Sequence, residues 1–227
     1  MCRHGIIHDG TGNQIVAVGV QIGRANMNVF FTSDTHFGHG NIIKYSNRPF
    51  RDADQMNEAL IANWNAIVKP DDTVWHLGDF AFMQASQFKA MHWRLNGNIH
   101  IVLGNHDKLL TQNRNDILRQ GKIKSIQNYA ELKVDDAKGN GRFIVLFHYG
   151  QRVWNKSHHG SIHLYGHSHG SLPPHGLSVD VGVDCKEITE EYRPVSLDEV
   201  CRYMDRRKIS VGSSRPKAVS FKRLNIA

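Results

Sequence analysis

The sequence predicts an α/β domain with stacked sheets, and three observations carry that reading. Between Val29 and Gln120, short apolar runs alternate with stretches of helical periodicity. After about Ser125 the helical pattern gives way to strands and turns. The length, 227 residues, suits one large domain whose core needs no disulfide support.

The elements follow in order. Residues 1–26 are Gly-rich and weakly patterned, and read as a hairpin, a tail or an upstream extension of a domain spanning 27–208. Val29–Thr32 is a strand that runs straight into polar residues. Within 54–68, Met56, Leu60, Trp64 and Ile67 recur at helical spacing, and Pro70-Asp71-Asp72 ends that helix. Strands Thr73–Leu77 and Ile99–Leu103 flank a helix over Ser86–Leu95, which stops at Asn96-Gly97-Asn98. Thr111–Gln120 reads as one helix closed by Gly121. Strands then cover Tyr129–Val134, Arg142–Phe147, Ile162–Tyr165 and Ser178–Val183. Ser196 with Glu199 forms a capping-box pattern for a last helix to about Arg207. Trp64, Trp75 and Trp93 read as core residues.

Composition narrows the class further. A 40% hydrophobic and 22% charged content is ordinary for a folded soluble chain. No apolar run approaches the roughly 20 residues that span a bilayer, and the N-terminus lacks the layout of a secretory signal. Cys2, Cys185 and Cys201 are odd in number and scattered, so reduced thiols and a cytoplasmic setting are expected. The formal charge of +7 is local: Arg202–Arg223 holds eight basic residues and one acid, leaving 20 basic and 20 acidic elsewhere. That basic end, with its tail at 209–227, is either a solvated terminus or a contact for nucleic-acid phosphates.

The chemistry lies at the strand ends. Apolar runs terminate in Asp34-Thr-His36, Gly78-Asp79, Gly104-Asn-His-Asp107, His148 and Gly166-His-Ser-His169. Open α/β sheets place their sites there. Each motif alone has an ordinary explanation as a cap, an Asx turn or surface histidines. Five in succession, each closing a strand, do not read as chance. Imidazole, carboxylate and one carboxamide, without thiolate, suit Mn, Fe, Zn or Ni. The donors outnumber one ion's needs and fit two ions sharing a carboxylate.

In this order, the segments DTHFGH, GDF, GNHD, the His of LFHYG and GHSH closely resemble the calcineurin-like metallophosphoesterase superfamily. DTHFGHGNIIKY, with RPF nearby, further resembles a small bacterial and phage-associated subgroup. The resemblance implies a four-layer α/β/β/α sandwich of two mixed sheets flanked by helices. It assigns Asp34, His36 and His169 to one divalent ion and Asn105, His148 and His167 to the other, with Asp79 bridging. Manganese is the first expectation for both. His106 becomes the general acid, with Asp107 behind it to orient and polarise the imidazole.

The implied reaction is hydrolysis of a phosphodiester or phosphomonoester by a hydroxide shared between the ions. His39, Asn41 and Arg48 trail the first motif and are candidates for substrate binding or for loop hydrogen bonding. Asp184 reads as structural, and His158, His159, His163 and His175 as surface or supporting residues. Two other functions stay open: a nuclease that holds DNA or RNA through the basic C-terminus, and a non-catalytic scaffold on the same fold.

Overall fold

The computed structural model describes residues 28–189 and 191–212, together with strands β1 (Ile6–His8), β2 (Gln14–Val16) and β3 (Val20–Gln21). The rest of 1–26 and the basic tail beyond Gly212 lie outside the described residues. β1 and β2 pair antiparallel, whereas β3 adds to the edge of a sheet formed by the second half of the chain.

The first sheet is built by β4 (Val29–Thr32), β5 (Thr73–His76), β6 (Asn98–Val102) and β7 (Ile123–Gln127), all parallel. Parallel strands need crossovers, and α2 (Ala53–Ile67), α3 (Ala85–His92), α4 (Lys108–Gln112) and α5 (Arg114–Arg119) supply them. A short α1 (Gly40–Tyr45) follows the first motif. β4 and β5 are buried along their whole length, which explains their unbroken apolar runs. Met56, Leu60, Ile61 and Trp64 of α2 pack with Val74, Ile99 and Ile101 on one face of this sheet. Leu60 is 2% exposed there, so Leu60→Ala should cost about 2–5 kcal/mol of stability.

The second sheet runs β11 (Ser178–Asp180), β10 (Ile162–Tyr165), β9 (Gly141–Leu146), β8 (Ala130–Asp135) and β3. Leu132, Ile144, Leu146, Leu164 and Val179 face Phe31, Trp75 and Val102, so the two sheets share a core. The two mixed sheets and flanking helices match the expected α/β sandwich. A 3-10 turn at Ser157–His159 follows Trp154 and Lys156, which pack on residues of the second sheet. Lys156 lies 4.2 Å from the Phe143 ring centroid and Trp154 rests 5.4 Å from the His163 ring. β12 (Val195–Ser196) pairs antiparallel with β4 and leads into α6 (Leu197–Gly212). Leu197, Val200, Cys201 and Met204 of α6 join the core between the sheets. No helix among the described residues is long and apolar enough to cross a membrane.

Several sequence expectations change. Thr111–Gln120 is not one helix, because α4 ends at Gln112 and α5 begins at Arg114. Asn113 donates from Nδ2 to Leu109 O, the backbone competition that disfavours Asn inside helices. Trp64 and Trp75 are core residues, but Trp93 is 52% exposed. The inward face of α3 is taken by Phe88, Met91 and His92, which turns Trp93 outward. His163 is fully buried, and its Nε2 accepts the Gln151 N–H at 3.0 Å.

Candidate metal centre

Parallel pairing brings the carboxyl ends of β4, β5 and β6 to one edge of the first sheet, and those of β9 and β10 to one edge of the second. The two edges are joined by backbone contacts. Ser33 bridges to Gly182, and Ser33 O accepts the Val183 N–H at 3.1 Å. The His167 N–H donates to Asp34 Oδ2 at 2.9 Å. All five motifs therefore meet in one place.

They form two donor groups: Asp34, His36 and His169 in one, and Asp79, His148 and His167 in the other, with the ligand atoms of each group within 4.8 Å of one another. Asp79 Oδ2 lies 3.7 Å from His36 Nε2 and 3.6 Å from His148 Nε2, so one carboxylate oxygen faces both groups. Asn105 Oδ1 stands 3.1 Å from His148 Nε2. The structure thus brings together all seven residues that the resemblance names as ligands.

Hydrogen bonding orients these donors. His148 gives its Nδ1–H to Leu77 O at 2.7 Å, and burial pulls its pKa down, so Nε2 presents a lone pair. That lone pair faces the oxygens of Asp79 and Asn105, an arrangement of acceptors that lacks a proton between them. In the other group, Asp34 Oδ1 and His36 Nε2 are buried without any hydrogen-bond partner. Orphaned lone pairs in a buried cluster carry a desolvation cost of ~1–3 kcal/mol each unless a cation meets them. A pair of divalent ions fits this donor set.

The electrostatics point the same way. Burial raises the pKa of Asp34 well above the usual carboxylate range, and the nearby Asp180 adds to the rise. Burial also lowers that of His36, assisted by His169 and Arg48. For His169, burial works downward, but the bond to Asp184 and the charge of Asp34 outweigh it and leave the pKa raised. Its Nδ1–H donates to Asp184 Oδ2 at 2.7 Å, which turns Nε2 toward Asp34 Oδ1, 4.0 Å away. A carboxylate behind a ligating imidazole is the common orienting partner in metal sites.

The backbone is tightly constrained. Asp34, His36, Asp79, His167 and His169 all have φ between +48° and +67°, a region that L residues rarely adopt. Two glycines permit the closeness. A Cβ at Gly104 would collide with Asp79 Oδ1, and one at Gly166 with Ser33 Oγ and Asp34 Oδ2.

The remaining candidates divide. His106 is exposed, its ring 5.7 Å from that of His36, and its backbone N–H donates to Asp79 Oδ1 at 2.9 Å. Asp107 does not hold the His106 imidazole as expected. Its carboxylate, 2% exposed, accepts the backbone N–H groups of Asp79, Phe80 and Gly104, which fastens the Asp79 turn to the Gly104 turn. Burial, opposed by those bonds, pushes its pKa up to about 6. Arg48 takes the second of its two expected roles, loop hydrogen bonding. Its buried guanidinium binds Asp184 and the carbonyls of Asp34 and Thr35, bracing the first motif from behind instead of reaching outward. His39 lies at the centre, its ring 5.4 Å from that of His36, while Asn41 is exposed on α1.

Three residues around the site escaped the sequence reading. Asp180 accepts from Ser168 Oγ at 2.5 Å and from the Gly170 and Gly182 backbone, shaping the turn that carries His167 and His169. Its signal was an acid closing the apolar run of β11. Phe82 and Tyr149 are exposed rings beside His106 and His167, and carried no motif.

Stacked sheets whose carboxyl edges converge on seven metal-type donors define a phosphoesterase-type centre. The chain belongs to the calcineurin-like phosphoesterase superfamily, whose domain description matches residues 27–179. It is 32% identical over 190 residues to the uncharacterized protein MJ1445 of Methanocaldococcus jannaschii, covering 80% of this chain and 93% of that protein. It is also 29% identical over 197 residues to the gene 66 protein of Mycobacterium phage L5, covering 76% and 92%. Among solved structures, a protein of unknown function, AQ665 from Aquifex aeolicus, shares the fold with a TM-score of 0.57 and 23% identity, covering 78% of this chain and 99% of that one.

Proposed function

We propose that this protein hydrolyses phosphate esters, phosphodiesters first, with two divalent ions, manganese foremost, held by Asp34, His36 and His169 and by Asn105, His148 and His167, with Asp79 shared. The observation that carries the reading is the convergence of buried donors, above all the orphaned Asp34 Oδ1 and His36 Nε2 beside Asp79 Oδ2. Such ions acidify a bound water toward neutral pKa and screen the phosphate oxygens.

The side chains then have separate tasks. Asp184 and Arg48 fix the first group, one by holding His169 Nδ1 and the other by bracing the Asp34 and Thr35 carbonyls. Asp107 keeps the Asp79 and Gly104 turns in register. His106, exposed beside His36 and held by its backbone N–H to Asp79, donates its imidazole proton to the departing ester oxygen. His106→Ala should retain two ions per chain and lose about 10²–10⁴-fold in kcat. Metal analysis beside turnover of a chromogenic diester checks both halves, and full activity in that variant removes His106 from the reaction.

A further inference from the structure

A cavity bordered by Phe82 has no part in the reaction as described. It encloses about 440 Å³ and is lined by residues of α2 and α3, within the range of small-molecule sites. Gly38, in the loop that carries His36, forms part of its wall, and Phe82 forms another. Cavity and metal centre therefore share a boundary.

Phe82 gives that boundary its character. Its ring is 49% exposed, a large apolar surface left to water at the mouth of a polar site. It stacks on His39 at 4.6 Å and 19°, and meets the His106 ring at 5.6 Å and 61°. The proposed proton donor and the exposed ring are thus neighbours. Ile61 and Met91 add apolar surface to a lining that also carries Asn57 and Gln87.

The charges select among leaving groups. Asp54 and Glu58 line the cavity with a single cation, Arg94, whose guanidinium already binds Glu58 at 2.6 and 2.7 Å. Asp54 adds a further carboxylate to this wall, and a second phosphate entering here would meet excess negative charge. Amino and hydroxyl donors would instead find an acceptor.

Resting on the phosphodiesterase reading, we propose that the leaving group is a neutral nucleoside whose base stacks on Phe82 and extends into this cavity. In the balanced reaction, a water oxygen forms the new bond to phosphorus and the bond to the nucleoside oxygen breaks. That oxygen takes the His106 proton, and the proton lost by water passes to solvent.

The test compares wild type, Phe82→Ala and Phe82→Trp, all manganese-loaded, on three diesters. These are a dinucleoside monophosphate, the same compound with an extra phosphate on the leaving nucleoside, and a nucleotide methyl ester that releases methanol. Phe82→Ala should lose roughly tenfold in kcat/KM on the first, mainly through KM, and stay within about twofold on the methyl ester. Phe82→Trp should retain activity, and wild type should disfavour the extra phosphate. Equal losses on the first and third substrates, or none on the first, would overturn the proposal. Calorimetry with adenosine alone separates the two readings. Adenosine bound by wild type and lost in Phe82→Ala, without turnover of any diester, sinks the reaction and keeps the subsite; adenosine bound by neither sinks the subsite.

Discussion

Asp34, His36, Asp79, His167 and His169 hold positive φ angles at a cost of ~1–3 kcal/mol each, which the surrounding contacts must outweigh. Asp34 adds a buried charge beside Asp180 and Asp79. Its raised pKa means the ionised form is disfavoured on folding, so the metal-free protein is penalised as pH rises above the unfolded carboxylate pKa. Asp34→Asn keeps an acceptor for the His167 N–H and removes the charge. Thermal melts should show the chelated variant more stable than chelated wild type at neutral pH, with binding at the first ion position lost; a less stable chelated variant contradicts this. Asp184→Asn should weaken metal binding by about 10–100-fold through its effect on His169, read by titration calorimetry. At this scale the two donor groups were legible, because donor types recur after apolar runs. The supports were not. Arg48 and Asp184 lie 136 positions apart, and nothing local announces that they meet. Asp107 adjoins His106 in the chain, yet its oxygens are consumed by backbone N–H groups that only the fold brings near.

Among the elements, long periodic segments were readable and short ones were not. α2, β4, β5 and β6 lie within a residue or two of their expected positions. α1 spans six residues, too few for periodicity to register, and β7 shows only Ile123 and Ile126 as buried apolar positions. α6 begins as its capping box required. Ser196 N–H donates to Glu199 Oε2 at 2.7 Å, and Glu199 N–H donates to Ser196 Oγ at 3.3 Å. Burial works to raise the Glu199 pKa, but Arg193 and the Ser196 bonds outweigh it and hold it near about 2. A depressed carboxylate stabilises above its unfolded pKa and loses that contribution as pH falls through its folded value. Glu199→Gln should therefore be less stable than wild type by about 1 kcal/mol near neutrality, and the two should converge as pH drops from about 4.5 toward 2. A gap that persists at the acid end would assign the effect to packing.

The whole molecule places chemistry at a seam. Each sheet alone would present half of the donors, and stacking over the shared core of Phe31, Trp75, Leu146 and Leu164 brings the halves together. The strand-rich second half made the stacked sheets legible, while β12 and the edge strand β3 depend on partners distant in sequence. The basic C-terminus sits apart from this seam in the chain. Removing residues 213–227 should leave small-diester hydrolysis unchanged, whereas salt-dependent loss of polynucleotide cleavage on the same deletion would favour a nuclease. The most direct test is a titration of chelated protein with Mn(II) while hydrolysis of bis(p-nitrophenyl) phosphate is followed. Activity should rise to a plateau at two equivalents per chain and stay absent in Asp79→Ala. Two bound equivalents with no turnover, or full turnover in Asp79→Ala, would contradict a shared two-ion centre.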